Sequence, residues 1–373
     1  MNFLTGFLYV ILALVVLLFM VLIHELGHYI AGRILKFKIE EFSIGFGKAL
    51  FSRTNKRGEK ISIRIFPLGG YCAFKGEGDE EDKPAADCFN AQKPWKRIIV
   101  FLAGVTMNFL AAVLFSLILL CTIGYDVPQI TKNSVTVNGF GNEQVTYTSV
   151  LEEGDIVVAV DGTKVDFAFG ETFQNLVAQK QEEAKTWVKE GNNIDDFTFK
   201  MTVKRNGKTQ ELDMRLFDVV QYKDDGTTIS AQNYLLGINY KPYVYSFWEA
   251  LGRCWEFAFG LAWVVLKSLW LLITFQLPIS SIGGPITTIT TIAGATQTNW
   301  LNLLILIPMI SANLAVFNLL PLPALDGSHV LFTLIEWIRR KPIKRELENK
   351  IHFVGLCLLF AFVIIVDILH FVL

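Results

Sequence analysis

The sequence predicts a polytopic α-helical membrane protein of about four transmembrane helices, with a membrane-associated β-hairpin in its first loop and an inserted extracytoplasmic β-rich domain. Of its 373 residues, 52% are hydrophobic and only 18% charged, against roughly 25% charged in an ordinary soluble domain, and the mean hydropathy is +0.41. That apolar excess is gathered into uncharged runs, and between two of the runs lies a stretch of ordinary composition that alternates with the period of a strand. Lys+Arg 34 against Asp+Glu 35 leaves no global basic field, so nucleic acid is not an expected partner. The five Cys occur singly with no C-x-x-C, which excludes a thiolate zinc site and supplies no disulfide framework. A bound metal must therefore draw on His and carboxylate.

Residues 1–32 form the first transmembrane helix: positions 2–23 carry no charge, and at about 1.5 Å per residue the run exceeds a hydrocarbon core of about 30 Å. A cleaved signal peptide would show a basic n-region and an A-x-A site, and neither is present. Residues 33–97 form a loop with membrane-associated strands. Arg33, Lys36 and Lys38 at one end and Lys93, Lys96 and Arg97 at the other place it in the cytoplasm and the N-terminus outside. Residues 98–125 are the second span, where Ala103, Gly104, Ala111 and Ala112 let helices approach closely. After an external domain at 126–240, residues 247–299 form an aromatic helix and a Gly-Pro-containing loop. Positions 248–275 are apolar enough to cross but contain Arg253, Glu256 and Lys267, and a crossing would require a return through the Thr-, Gly- and Ser-rich 278–299. Parity therefore favours a helix at the outer interface. Residues 300–338 are the third span, interrupted by Pro308, Asn313, Asn318 and Pro321, and such helices persist only where they face protein or a cavity. Arg339, Arg340, Lys341, Lys344 and Arg345 mark a second cytoplasmic loop before the fourth span at 351–373.

The external domain places Gly-Asp before an apolar run and Asp-Gly after it at 151–165, then alternates around Asn206–Gly207 at 197–217, a hairpin signal. Residues 170–189 between them read as helical. Strands flanking one helix with this order of turns resemble a PDZ domain; the competing reading is another small β-rich domain.

The first span ends in His24-Glu25-Leu26-Gly27-His28. Residues i and i+4 share a helix face, so both imidazoles can bind one Zn2+ while Glu25 reaches the reacting water. The competing reading, two His hydrogen-bonded in a core, is weakened because polar groups at membrane depth are expensive. A catalytic zinc takes three protein ligands and keeps one position open. Asp326, which follows the Pro321 and Pro323 breaks, is the candidate third ligand; as a favoured N-cap residue it could equally cap a helix over 328–338. The alternating segment 60–67 reads either as a strand that pairs with an extended substrate or as a plain hairpin over the site.

With these motifs in place, the chain resembles the site-2 protease family of intramembrane zinc metalloproteases (M50 type), in the bacterial RseP-like branch with a single PDZ domain. The resemblance rests on HELGH, Gly45-Phe46-Gly47, Pro67-Leu-Gly-Gly-Tyr71, Gly104 with Asn108, Gly284-Pro285 and Asn-Leu-Leu-Pro-Leu-Pro-Ala-Leu-Asp-Gly at 318–327. It implies Zn2+ on His24, His28 and Asp326, Glu25 as catalytic acid/base, and Asn318 positioning substrate or product. Ile63, Ile65, Gly69 and Gly70 are the accompanying substrate-binding candidates. The implied partners are single-span membrane proteins, such as anti-sigma factors or signal-peptide remnants, together with membrane lipid and a peptide ligand of the PDZ domain. The implied location is the bacterial cytoplasmic (inner) membrane, with the site toward the cytoplasm. Members often read Leu-Asp-Gly-Gly where this chain has Leu325-Asp326-Gly327-Ser328, which leaves the carboxylate intact. His329 is expected to pack beside the site, and His352 and His370, flanking the last span, receive no role. Two other functions compete: a membrane-anchored zincin degrading misfolded proteins, and a non-enzymatic PDZ scaffold or metal transporter.

Overall fold

The computed structural model describes residues 3–77, 85–125, 127–166, 172–223, 225, 227–278 and 283–372. The chain forms two compact units, Met1–Ile118 with Leu251–Leu373, and Leu119–Ala250.

The first unit begins with α1 (Phe3–Ile34), about 48 Å long at 1.5 Å per residue. Strands β1 (Ile39–Thr54) and β2 (Lys60–Phe74) follow, then α2 (Pro94–Thr122). The two strands fold into more than one hairpin. The start of β1 pairs with both halves of β2: Phe42 faces Cys72 and Ile61, and Ile44 faces Gly70 and Ile63. The end of β1 returns to the first half of β2, with Phe51 opposite Ile63 and Thr54 opposite Lys60. The result is four segments in the order 70–74, 41–44, 60–63 and 51–54. Gly45 and Gly47, at φ +85° and +86°, make the bend in β1. One face carries a buried polar network, in which Arg64 donates to Glu41 at 2.7 Å and to Ser43 Oγ at 3.0 Å. Leu50, Phe51, Ile63, Ile65 and Phe66 are exposed, as an apolar sheet face turned to lipid would be.

The second unit is built on antiparallel pairs. Strands β3 (Pro128–Lys132), β4 (Ser134–Asn138), β5 (Gln144–Thr148), β6 (Ile156–Val160) and β7 (Thr163–Lys164) precede α3 (Phe173–Lys189). Then come β8 (Thr198–Arg205), β9 (Lys208–Arg215), β10 (Phe217–Tyr222), β11 (Ile229–Leu235) and β12 (Asn239–Pro242). The main sheet runs β12-β3-β6-β8-β9 with β7 on β6, and β4-β5 and β10-β11 are separate pairs. The two predicted turns form as expected: Asp161–Gly162 and Asn206–Gly207 all have positive φ, the requirement of a type I′ hairpin. Thr172 caps α3 by accepting from the Asn175 N–H at 3.3 Å, and the earlier start predicted at 170 lies outside the described residues. The core is apolar and closed, with Leu151, Val157, Met201 and Val203 at 0% exposure. At its margin the buried carboxylate of Asp155 meets the partly exposed Arg205 guanidinium at 2.8 and 2.6 Å. Burial favours the neutral acid, but the Arg205 guanidinium and the Glu152 N–H outweigh it and hold the Asp155 carboxyl below the usual carboxylate range.

The chain then forms α4 (Phe247–Ile273), α5 (Pro285–Thr298), α6 (Asn302–Leu319), α7 (Asp326–Arg339) and α8 (Arg345–Val372). Among the described residues, α1, α2, α4, α6 and α8 are long and apolar enough to cross a membrane, so the protein is a multi-pass membrane protein. On α4, Cys254, Phe257, Ala258 and Leu261 are buried, while Trp248, Trp255, Trp263 and Trp270 are exposed. Two expectations need correcting. The stretch read as a Gly-Pro loop is helical from Pro285, because Asp367 of α8 accepts from the N–H groups of Ile286 and Thr287 at 3.1 and 3.2 Å and from Thr287 Oγ1 at 2.9 Å. Pro285 suits the first helical position, where no donor is needed. The third span drawn over 300–338 is two helices, since Leu320 and Leu325 are extended and end α6 before α7 begins.

Candidate metal centre and active site

The site is assembled where α1 meets α2. A Cβ on Gly27 would lie 2.3 Å from the Ala103 carbonyl oxygen, and one on Gly104 only 2.5 Å from His28 Nε2 and 2.7 Å from His24 Cε1. The two glycines thus allow the backbones to close and leave room for both imidazoles. His28 Nδ1 donates to the Val100 carbonyl at 2.8 Å. With the hydrogen on Nδ1, Nε2 presents its lone pair, the arrangement by which an outer partner fixes a ligating histidine.

Asp326 arrives from the other side. It is the first residue of α7, whose N-cap position is held by Leu325, and its side chain faces the histidines. The preceding turn is held tightly: Ala324 has φ +74°, and its N–H donates to His352 Nδ1 at 3.0 Å. A Cβ on Gly355 would lie 2.1 Å from Pro323 Cβ, so α8 is seated directly on this turn.

Asp326 Oδ2 lies 3.0 Å from His24 Nε2 and 3.3 Å from His28 Nε2, and the two nitrogens are 3.1 Å apart. Ligands on a tetrahedral zinc at about 2.05 Å are separated by about 3.3 Å. His28 Nε2 and the Asp326 carboxylate are two acceptors facing each other, an arrangement that a cation between them relieves, and Asp326 Oδ2 is buried with no hydrogen-bond partner among the described residues. Two imidazoles and a carboxylate with room for a fourth group fit a catalytic zinc. These atoms line a cavity of about 390 Å³ together with Glu25, Asn108 and Asn318. The amides of Asn108 and Asn318 lie 3.4 and 3.5 Å from His24 Nδ1. Glu25 is met by the Cys72 backbone N–H, and a Cβ on Gly70 would lie 3.5 Å from Glu25 Cγ.

The substrate-binding candidates separate. Gly70 lies beside Glu25, and Gly69, at φ +124°, forms the bend before it. Ile63 cannot offer a free strand edge: it has Ile44 on one side and Phe51 on the other, and its neighbours Lys60 and Ser62 are likewise paired on both sides. The edge nearest the site is 70–74, which pairs with β1 on one side; on the other, the Cys72 and Phe74 N–H groups meet Glu25 and Glu77. Ile65 is exposed on the sheet and does not line the cavity.

Three contributors escaped the sequence. His352 binds the Asp326 turn, a contact with no local signal. Gly104 was read only as a packing residue. Glu77 lines the cavity, where burial pushes its carboxyl up to about 7 against the opposing Phe74 N–H bond. His329 packs between Phe101 and His352, with ring centroids at 5.0 and 4.2 Å. His329, Glu348 and His352 are close enough for a second metal, but the tautomer argues against one: neutral His352 accepts at Nδ1, so its Nε2 carries the hydrogen and has no lone pair to offer.

Two histidines and an aspartate facing one another, with a glutamate beside them, on and beside a helix long and apolar enough to cross a membrane, are the donor set and carboxylate that a zinc-dependent peptidase requires. Comparison with known proteins agrees: the model of peptidase family M50 matches residues 12–362. The chain belongs to this family of zinc metalloproteases, the site-2 proteases. Its relatives include proteins of Fusobacterium nucleatum, 28% identical over 96% of this chain and 97% of theirs, and of Clostridium perfringens, 29% identical over 96% and 97%. A Nostoc protein is 29% identical over 94% and 92%. Each is named provisionally as a zinc metalloprotease.

Proposed function

We propose that the protein is an intramembrane endopeptidase that cuts the transmembrane segments of single-span membrane proteins, with zinc on His24, His28 and Asp326. The observation that carries this reading is the convergence of those three side chains at 3.0–3.3 Å, two of them on a helix long enough to span, about 9–15 Å from its C-terminal end. In this reading four helices cross, α4 lies at the outer face, the second unit is an extracytoplasmic PDZ domain, and the site opens toward the cytoplasm of a bacterial inner membrane.

Bound zinc polarises the scissile carbonyl and brings the pKa of water toward about 7. Glu25 then accepts the proton of the attacking water and returns it to the departing nitrogen. A helical substrate hides its carbonyls in i to i−4 bonds and must be unwound first. The outer edge of 70–74, beside Glu25, is where the unwound segment lies as an added strand, taking over the Cys72 and Phe74 N–H groups from Glu25 and Glu77. Asn318 positions the peptide near the metal.

In proteoliposomes with an embedded reporter helix, Glu25→Gln should lower cleavage by about 10³-fold while zinc stays at one per chain. Cleavage near the wild-type rate would overturn the role of Glu25. Asp326→Asn should lose both zinc and activity, and full zinc content would overturn its role as ligand. Equal cutting of a soluble unfolded protein in detergent and of the embedded helix would favour a membrane-anchored zincin instead.

A further inference from the structure

A second cavity, about 480 Å³, is enclosed by residues 90–97 and 336–345. It lies where α2 and α8 begin and α7 ends. Because α2 and α8 are long and apolar enough to cross a membrane, their shared starting level is that of the headgroups of one leaflet. Trp95 and Trp337 are exposed there, 40% and 51%, as aromatic side chains at an interface are.

The charges around this cavity divide into a balanced set and an unbalanced one. Arg97 Nη1 donates to Glu336 Oε2 at 2.7 Å, and Arg345 reaches Glu336 Oε1 at 3.1 Å and pairs with Glu348 as well. The Ile343 N–H adds a bond to Glu336 at 3.0 Å. Two buried arginines therefore meet two buried glutamates, and Glu336 is saturated. Left over at the rim are Arg340, Lys341 and Lys344, all exposed and with no ion pair among the described residues. Arg97 also lines the cavity; its side chain is only 5% exposed, and its Nε–H lies buried behind the lining with no hydrogen-bond partner among the described residues.

We propose that this cavity binds the phosphate group of an anionic phospholipid from the adjacent leaflet. A phosphate offers several acceptor oxygens in divergent directions, which suits three rim cations better than a planar carboxylate does. The buried set cannot take this part alone, since its charges cancel. The proposal is independent of the protease reading.

The test uses the full chain in nanodiscs of phosphatidylcholine with a minor fraction of phosphatidylglycerol, with retained lipid counted by native mass spectrometry. Wild type should hold phosphatidylglycerol in preference to phosphatidylcholine. Lys341→Gln alone should lower that retention about fivefold, and the triple change Arg340→Gln, Lys341→Gln and Lys344→Gln about 100-fold, at roughly fivefold per cation. Arg53→Gln with Lys56→Gln, which removes exposed cations on the β1–β2 connection, should leave it unchanged. Equal retention by wild type and both rim variants overturns the site, as does an equal loss in the Arg53 and Lys56 control. A further arm titrates delipidated protein with inorganic phosphate: displacement by phosphatidylglycerol supports the lipid as source, and phosphate binding that the lipid cannot displace overturns it.

Discussion

The two units solve burial in opposite ways. In the β-rich unit apolar side chains close on one another, with Leu151, Val157 and Met201 fully covered, and among the described residues Asp155 is the charged side chain buried there, paired with Arg205. In the helical unit large apolar residues such as Phe7, Trp263 and Phe360 are exposed, while His24, His28, Asn108, Ser311 and Asp367 are buried. Where the solvent is lipid, apolar contact no longer separates inside from outside, so close backbone approach and polar contacts hold helices together. The stability of one unit should therefore track side-chain volume, and that of the other the few places where a glycine or a polar atom is irreplaceable.

The sharpest way to break this contrast is to remove volume. Leu151→Ala should destabilise the β-rich unit by about 2–5 kcal/mol, read as a lower unfolding midpoint, and leave zinc content unchanged. Adding volume tests the other side: Gly104→Ala, one methyl group against both imidazoles, should weaken zinc binding about 100-fold in chelator competition. Unaltered affinity would mean that α1 and α2 separate without consequence. Weaker still is the effect of the turn before Asp326. His352→Phe, which keeps the ring and loses the acceptor, should weaken zinc binding about tenfold, whereas His352→Asn, with its Oδ1 in place of Nδ1, should restore it. The smallest effect is acid sensitivity of the β-rich unit. A carboxyl held low in the folded state stabilises above its unfolded value near 3.9 and loses that contribution as pH falls through the folded value. The midpoint should thus be flat from pH 7 to about 5 and drop below about 4, and Asp155→Asn should shallow the drop.

How much of this could be read beforehand depends on the range of the interaction. His24, Glu25 and His28 lie within one helical turn and a half, and both glycine-containing turns of the β-rich unit within two residues, so local spacing revealed them. Asp326 was legible as an unexpected carboxylate after two prolines, yet whether it capped or ligated depended on atoms some 300 residues away. The four-segment arrangement of β1 and β2 was not legible at all. Alternation gives the faces of a strand but not its neighbours, which is why Ile63, with the right pattern, proved to be an interior residue.

The cap on α5 carries a consequence for the order in which this protein is made. The helix opens at Pro285 with no side-chain cap from Gly284, and its first donors are met by Asp367. Ribosomes release that carboxylate some eighty residues after the start of the helix it completes. Until α8 arrives, α5 stands in lipid with unsatisfied amides, a state that apolar surroundings penalise. Translation thus leaves α5 unsealed until Asp367 has been made, and a ribosome stalled just short of it would yield a chain with every proposed zinc ligand and an uncapped α5.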